Sequence, residues 1–496
     1  MKRDKDSLYD LIVIGGGSGG LVAAAGAAHL GARVALVEKL ALGGDCLFTG
    51  CVPSKTLIAS ARFAADVRRA ADYGFKPSTP QFKDNSFASI TSRVQRVIKT
   101  VGEHDAPEVF QALGIDVIFG EPRFVSPREL QIDLADGQTQ KIGGRRFCVS
   151  TGSRPAIPPI EGLSETGFIT NEDVFKMQEL PGSVIVLGGG PIGLELGQAF
   201  ARFGSEVTVV EMADRLLLKE DEESSATIER IMLAEGLKIL LNTKAVRANR
   251  ANRHKTLAIE AEGKTREIQA QEILVATGRT PNIEGLNLET AGVKFDRQGI
   301  STDQYLRTSA GHIFAAGDVT GHFPFTHMAA YEASVVVRNA ILFWPLRQKT
   351  DFRVVPWTTF TDPEVARVGL TEKEASDKYG KEQIKIFRSD FSDNDRAQAE
   401  DRIRGFTKLV CTASRSEIVG AHIVGPHAGE LIHEVVLAMK KRLPVTALGG
   451  MIHVYPTLTQ VNQKAALDAV LEKLAGYREP LSYYLSFWRR LSGFRR

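Results

Sequence analysis

Two cysteines separated by four residues, Cys46 and Cys51, are the side chains of this sequence best suited to chemistry. They lie in Gly43-Gly44-Asp45-Cys46-Leu47-Phe48-Thr49-Gly50-Cys51-Val52-Pro53-Ser54-Lys55 and are two of four cysteines in 496 residues. Closely spaced cysteines in a reducing compartment mostly bind metal or carry out redox exchange. A tetrahedral zinc site needs a second such pair, and the sequence has none, so no metal site is expected and a reversible disulfide is the better reading. The competing reading is two unrelated core cysteines in a glycine-rich loop. Residues five apart in a regular helix are offset by about 7.5 Å of rise, whereas a disulfide needs Cα atoms roughly 4.4–6.8 Å apart. The segment must therefore be distorted, which Gly43, Gly44 and Gly50 allow. Pro53 suits the first turn of a helix, and Cys51 then falls at a helix N-terminus, where a thiolate is favoured. Lys55, one turn further on, shares its face.

The elements that must position this pair carry a repeated signature. Asp10–Ile14 reads as a buried strand, Gly15, Gly17 and Gly20 form G-x-G-x-x-G, an alanine-rich helix runs to about Leu30, and a strand over 33–37 ends at Glu38. Such a turn brings a helix N-terminus against a pyrophosphate, and the acid binds ribose hydroxyls. The unit recurs: strand 183–187, Gly188, Gly190 and Gly193, a helix, and strand 206–210 ending at Glu211. Glu38 stands 23 positions beyond Gly15, and Glu211 stands 23 beyond Gly188. Identical offsets in identical context imply two bound dinucleotides. A carboxylate at Glu211 pairs with a free 2′-hydroxyl and repels a 2′-phosphate. Arg215 lies after the usual position for binding that phosphate, so NAD(H) is favoured over NADP(H).

With these motifs the chain resembles a class I pyridine nucleotide–disulfide oxidoreductase of the mercuric reductase-like and dihydrolipoyl dehydrogenase-like kind, over about residues 8–475. Val275-Ala276-Thr277-Gly278-Arg279-Thr280-Pro281-Asn282 resembles the return from the NAD domain. Ile313-Phe314-Ala315-Ala316-Gly317-Asp318 resembles the second FAD motif, and Thr361 to Glu372 the start of a dimerisation domain. The resemblance implies an α/β fold with two Rossmann-like dinucleotide-binding domains, for FAD and NAD, and a C-terminal α+β dimerisation domain. It implies a redox-active Cys46–Cys51 disulfide, with Cys51 next to the flavin and Cys46 exchanging with substrate. Lys55 would sit near the flavin and pair with Glu195, and Asp318 would contact the ribityl chain. Lys39, Gly43, Gly44, Thr151, Gly152, Gly278, Arg279 and Gly317 complete the expected cofactor-binding set. The implied assembly is a homodimer whose active site is shared across the interface.

The C-terminal motif departs from the family. Disulfide-reducing members carry His-x-His-Pro-Thr-x-x-Glu; this chain reads His453-Val454-Tyr455-Pro456-Thr457-Leu458-Thr459-Gln460. Tyr455 stands where the acid–base His belongs, and Gln460 where its orienting Glu belongs. A tyrosine with a pKa near 10 is a poor base at neutral pH. His453 matches the non-catalytic His and is a lesser candidate to take over; His422, His427 and His433 read as structural or surface residues. Mercuric reductases also carry a Tyr near this place, and Gly197–Ser205 is close to their form. Those enzymes end in a vicinal cysteine pair, however, and no cysteine follows Cys411 here. The expected activity is thus FAD-dependent NAD(P)H oxidation with electrons passed to an acceptor needing little proton handling, a soft metal ion such as Hg(II) or a quinone. The alternatives are a dihydrolipoyl dehydrogenase acting on lipoamide, and a flavin-binding redox sensor or scaffold with poor turnover.

A net charge of +3 and a charged fraction of 24% give no reason to propose nucleic acid. The expected organisation is an FAD domain at 1–155 and 280–350, an NAD(P) domain at 156–279, a dimerisation domain at 351–475 and a basic tail at 476–496. Helical segments are expected near 56–73 and 86–113. Cys148 and Cys411 read as inert core residues. With neither a secretory signal nor a transmembrane run, the expected location is cytoplasmic, with peripheral contact at the inner face of the membrane as a further option. Met1–Ser7 reads as a frayed charged end. The tail carries Leu481, Tyr484, Leu485, Trp488 and Leu491 at helical spacing, followed by Arg489, Arg490, Arg495 and Arg496. A terminal helix docked on its own dimer is the favoured reading, and a membrane-surface helix the other.

Overall fold

A computed structural model describes residues 8–251 and 254–491; the expected frayed end and Arg495 and Arg496 lie outside them. The described residues form two compact units, one made of the chain up to Asp214 together with Gly236–Asp351, the other of Arg215–Glu235 with the chain from Phe352 onward.

The first unit holds two parallel sheets. One has the order Ile313–Ala315, Phe147–Val149, Leu11–Ile14, Val34–Glu38, Asp116–Phe119. Leu11, Ile12, Val13 and Ile14 are all buried, the continuous apolar run that a strand covered on both faces requires. The second has the order Lys238–Leu240, Glu206–Val210, Ser183–Leu187, Glu272–Val275. Each is entered by the same strand–turn–helix unit, with helices at Ser18–His29 and Pro191–Phe203. Two three-stranded antiparallel sheets, over 121–143 and 244–270, and two two-stranded antiparallel pairs, Ser153–Pro155 with Arg279–Pro281 and Phe295–Asp296 with Gly299–Ile300, belong to the same unit.

The helix behind the cysteines starts at Cys51, with Pro53 in its first turn as expected, and runs to Arg68, so the helical segment expected near 56–73 lies a few residues earlier. The expected helix over 86–113 is broken into Ala88–Gly102 and Pro107–Ala112, because Pro107 has no N–H to continue a helix and takes its first turn instead.

The second unit is a five-stranded antiparallel sheet in the order Pro356–Thr359, Glu364–Gly369, Ile418–Gly425, Phe406–Thr412, Ile384–Asp390. Its core joins Val368, Phe391, Leu409 and Ile423 to Ile432 and Val435 of helix Ala428–Lys440 and to Val461 and Ala465 of helix Gln460–Ala475. The last described helix is Arg478–Leu491.

Candidate functional site

Cys46 lies in a one-turn helix, Gly44–Phe48, and Cys51 opens the long helix that follows. The chain turns into the first of these helices through Gly43 and Gly44, at φ +115° and +62°, a region closed to most side chains. A Cβ on Gly44 would lie 2.7 Å from the Cα of Gly17, so the cysteine turn and the first phosphate-type loop approach through glycine on both sides.

Both cysteines are free thiols in the structure, Cys46 half-buried and Cys51 exposed. The Cys46 thiol donates to Cys51, which raises its own pKa and lowers that of Cys51. Partial burial opposes the shift; a hydrogen bond from Thr326 and the charge of Lys55 reinforce it, and Cys51 settles at about 6. Its place at a helix N-terminus acts in the same direction. The site therefore holds an asymmetric pair, a thiolate at Cys51 and a proton-bearing thiol at Cys46. Lys55 Nζ lies 2.9 Å from Glu195 Oε2, and the Glu195 side chain is 7% exposed. Pairing at that depth stabilises a carboxylate that would be costly alone.

The two glycine loops are built alike. Gly16 N–H donates to Glu38 at 2.6 Å and Leu40 N–H at 2.8 Å; Gly189 N–H donates to Glu211 at 2.6 Å and Ala213 N–H at 2.8 Å. Gly15 and Gly188 take φ near +102° and +108°, and a Cβ at either would collide with a backbone carbonyl, that of Ser150 or Ala276. Gly20 and Gly193 each pack against the carbonyl of the first glycine of their loop. Neither following helix has a side-chain cap at its N-terminal residue, Gly17 or Gly190. Uncapped N–H groups behind a glycine loop fit a pyrophosphate, so these residues suit two dinucleotides.

The other expected cofactor residues form one polar cluster. Arg279 ion-pairs with Asp45 at 2.9 Å and Asp318 at 3.6 Å, and also donates to Ser153. Ser153 Oγ donates to Asp318 at 2.5 Å. Burial pushes the Asp318 carboxyl up, against the pull of Ser153 and Arg279. Thr151 and Asn282 exchange two hydrogen bonds. Gly152, at φ +70°, and Gly278, at φ +140°, flank this cluster, and Gly152 opens onto space. Gly317 N–H donates to Glu332, which is 1% exposed. Lys39 stands apart, in an exposed ion pair with Glu121. Thr326, Asp45, Ser153 and Glu332 were missed from the sequence; all depend on contacts between distant segments.

The C-terminal candidates belong to the second unit. Tyr455 is 67% exposed and its hydroxyl donates to Asp395 at 2.9 Å, a bond that raises its pKa further. Gln460 is turned back to accept from Thr457 N–H at 3.2 Å. The His453 side chain is 2% exposed, with Nε2 3.1 Å from Glu434 and Nδ1 3.1 Å from the Met451 carbonyl. Glu434 also accepts from Thr459 and Asn462. This histidine is a buried fixture, with neither nitrogen turned to solvent. His422 is likewise buried, and burial lowers it to about 4. Cys148 and Cys411 are fully buried and pushed up by burial, Cys148 to about 12.

Comparison with known proteins bears on the chain as a whole. A family model described as pyridine nucleotide-disulphide oxidoreductase matches residues 9–333, and the dimerisation domain of the same family matches 355–466. The chain is 34% identical over 475 residues to the mercuric reductase of Staphylococcus aureus, covering 95% of this chain and 85% of that one. It is 33% identical over 471 residues to the dihydrolipoyl dehydrogenase of Bacillus subtilis, covering 93% and 98%. It is similar to the Cu(II) complex of the HOCl-induced flavoprotein disulfide reductase RclA from Escherichia coli, with a TM-score of 0.81 and 28% identity, covering 93% of this chain and 99% of that one.

Proposed function

The chain belongs to the pyridine nucleotide–disulphide oxidoreductase family, and we propose that it uses NADH, FAD and the Cys46–Cys51 pair to reduce a thiophilic metal ion. Enzymes of this family depend on FAD and a pyridine nucleotide, and the matched dimerisation domain implies a homodimer. FAD, when bound, supplies the two-electron relay between nicotinamide and sulfur. The chain's own residues do the rest. Glu38 and Glu211 fix the two glycine loops, Lys55 and Glu195 hold charge beside the cysteines, and Thr326 steadies the Cys51 thiolate. Opening the disulfide takes two electrons and one proton, and leaves Cys46 as thiol and Cys51 as thiolate. Closing it releases the same two electrons and that proton. Two electrons take one Hg(II)-like ion to the metal, or two Cu(II)-like ions to Cu(I).

The observation that carries the choice of acceptor is the state of the C-terminal motif. Tyr455 is held by Asp395 with its pKa raised, and His453 is sealed by Glu434. A disulfide acceptor needs its leaving thiolate protonated, and neither residue is suited to that task. A metal ion needs no such proton. The NADH preference is supported by Glu211 at the end of its strand and by Arg215, whose guanidinium is engaged by the Leu218 carbonyl and Glu222.

The test is NADH oxidation by the flavin-loaded enzyme with Hg(II), Cu(II), quinones and lipoamide in turn, repeated with NADPH. Faster turnover with a metal ion than with lipoamide, and with NADH than with NADPH, is the expected result. Lipoamide turnover equal to or above the metal rate defeats the proposed acceptor.

A further inference from the structure

Among the described residues the helix Arg478–Leu491 is unlike every other long helix, because each residue from Arg478 to Arg490 is exposed. That exposure includes large apolar side chains: Tyr483 at 77%, Phe487 at 60%, Tyr484 at 58% and Trp488 at 55%. At 100° per residue the positions separate cleanly. Tyr477, Leu481, Tyr484, Leu485 and Trp488, flanked by Tyr483 and Phe487, occupy an arc of about 200°. Arg478, Glu479, Ser482, Ser486, Arg489 and Arg490 fill the remaining arc. The charge is equally lopsided. From 477 to 496 five arginines face one glutamate, a net +4 against +3 for the whole chain, so the other residues together carry −1.

We propose that this helix seats the enzyme on an anionic lipid surface. An interfacial helix combines a wide apolar face, aromatic residues at the headgroup level and a cationic polar face, and all three are present. Attraction to anionic headgroups is local to this segment, since the rest of the protein is near neutral. The helix lies parallel to the surface and does not cross it: among the described residues no helix is long and apolar enough to span a membrane. A second copy of this chain is the weaker occupant. The dimerisation-domain match ends at residue 466, and a helix–helix seam uses a narrower stripe without a cluster of arginines at its border.

The test uses the full-length, flavin-loaded enzyme in co-sedimentation with vesicles of phosphatidylcholine alone or mixed with phosphatidylglycerol. Two full-length variants accompany it, Leu481→Ser with Tyr484→Ser and Trp488→Ser, and Arg478→Gln with Arg489→Gln and Arg490→Gln. The unaltered enzyme should pellet with the mixed vesicles about tenfold more than with phosphatidylcholine. Both variants should lose that gain while keeping their dimer mass and NADH-driven flavin bleaching. Equal pelleting by enzyme and variants, or no vesicle-dependent pelleting at all, overturns the proposal. So does a fall from dimer to monomer in the apolar variant, which would assign the helix to the second copy. The readout is independent of which acceptor the enzyme reduces.

Discussion

The Thr326 hydroxyl lies 3.2 Å from the Cys51 sulfur, although the two residues are 275 positions apart. That hydroxyl opens helix Thr326–Ile341 and points at the one thiol of the protein that is held as a thiolate near neutral pH. A hydrogen bond to an ionised sulfur is worth more than one between neutral groups. Thr326→Val keeps the shape and removes the donor. It should raise the Cys51 pKa by about one unit, so that alkylation, expected to rise through about pH 6 in the parent protein, should rise about one pH unit higher in the variant. Thiolate absorbance against pH measures it; an unchanged curve refutes the assigned role.

Lys55 and Glu195 provide the second prediction. Lys55→Met leaves the Glu195 carboxylate, 7% exposed, without this partner. The lysine is one-third exposed, which discounts the full cost of a buried unpaired charge, and a loss of about 1–3 kcal/mol is expected in urea unfolding. Lys55→Met combined with Glu195→Leu should recover most of it. A double variant as weak as the single one would argue against the pairing.

Arg279 links Asp45, next to Cys46, with Asp318 and Ser153. Arg279→Met should free the Gly44–Phe48 turn while leaving the sheet intact. Hydrogen exchange in that turn should accelerate by about tenfold or more, a local effect. Exchange that speeds up uniformly across the chain would indicate general destabilisation instead.

Restoring the family's acid–base pair tests the acceptor. Tyr455→His with Gln460→Glu should raise lipoamide turnover by at least about tenfold, within the range of general acid–base catalysis. No rise would mean that the altered dyad is not what limits disulfide acceptors.

The second unit carries a pH-dependent term of its own. Glu220 is buried, accepts from the Trp357 indole at 2.5 Å, and is lifted by burial to about 7 against pulls from Trp357 and Arg367. Its folded pKa is above its unfolded value, so the folded state binds more protons between about pH 4.5 and 7. Stability is therefore lost as pH rises through that window. Glu220→Gln keeps an acceptor for Trp357 and removes the titration. Relative to the parent, the variant should gain stability progressively above pH 4.5, by up to about 3 kcal/mol at pH 8. A pH-independent difference in thermal unfolding would rule this out.

What the sequence disclosed was whatever is local and periodic. The equal spacing from Gly15 to Glu38 and from Gly188 to Glu211 became two carboxylate clamps with matching hydrogen bonds. Cys-x4-Cys became a one-turn helix running into the helix that opens at Cys51, with Gly43 and Gly44 at positive φ ahead of it and Pro53 in the first turn. The Lys55–Glu195 pair followed from resemblance and is present at 2.9 Å. Thr326 and Glu332 were hidden because nothing near them in sequence names their partners. The burial of His453 was equally hidden: its partner Glu434 comes from helix Ala428–Lys440 and is itself held by Thr459 and Asn462, and a motif cannot say which way a ring turns.

The distance along the chain between Cys51 and Thr326 has a consequence during synthesis. A nascent chain that has passed Cys51 but not Thr326 lacks the one distant hydroxyl that favours the thiolate. Over that interval only its sequence neighbours Cys46 and Lys55 are available to favour the thiolate. The last of its activating contacts therefore arrives when the ribosome has delivered about two-thirds of the 496 residues.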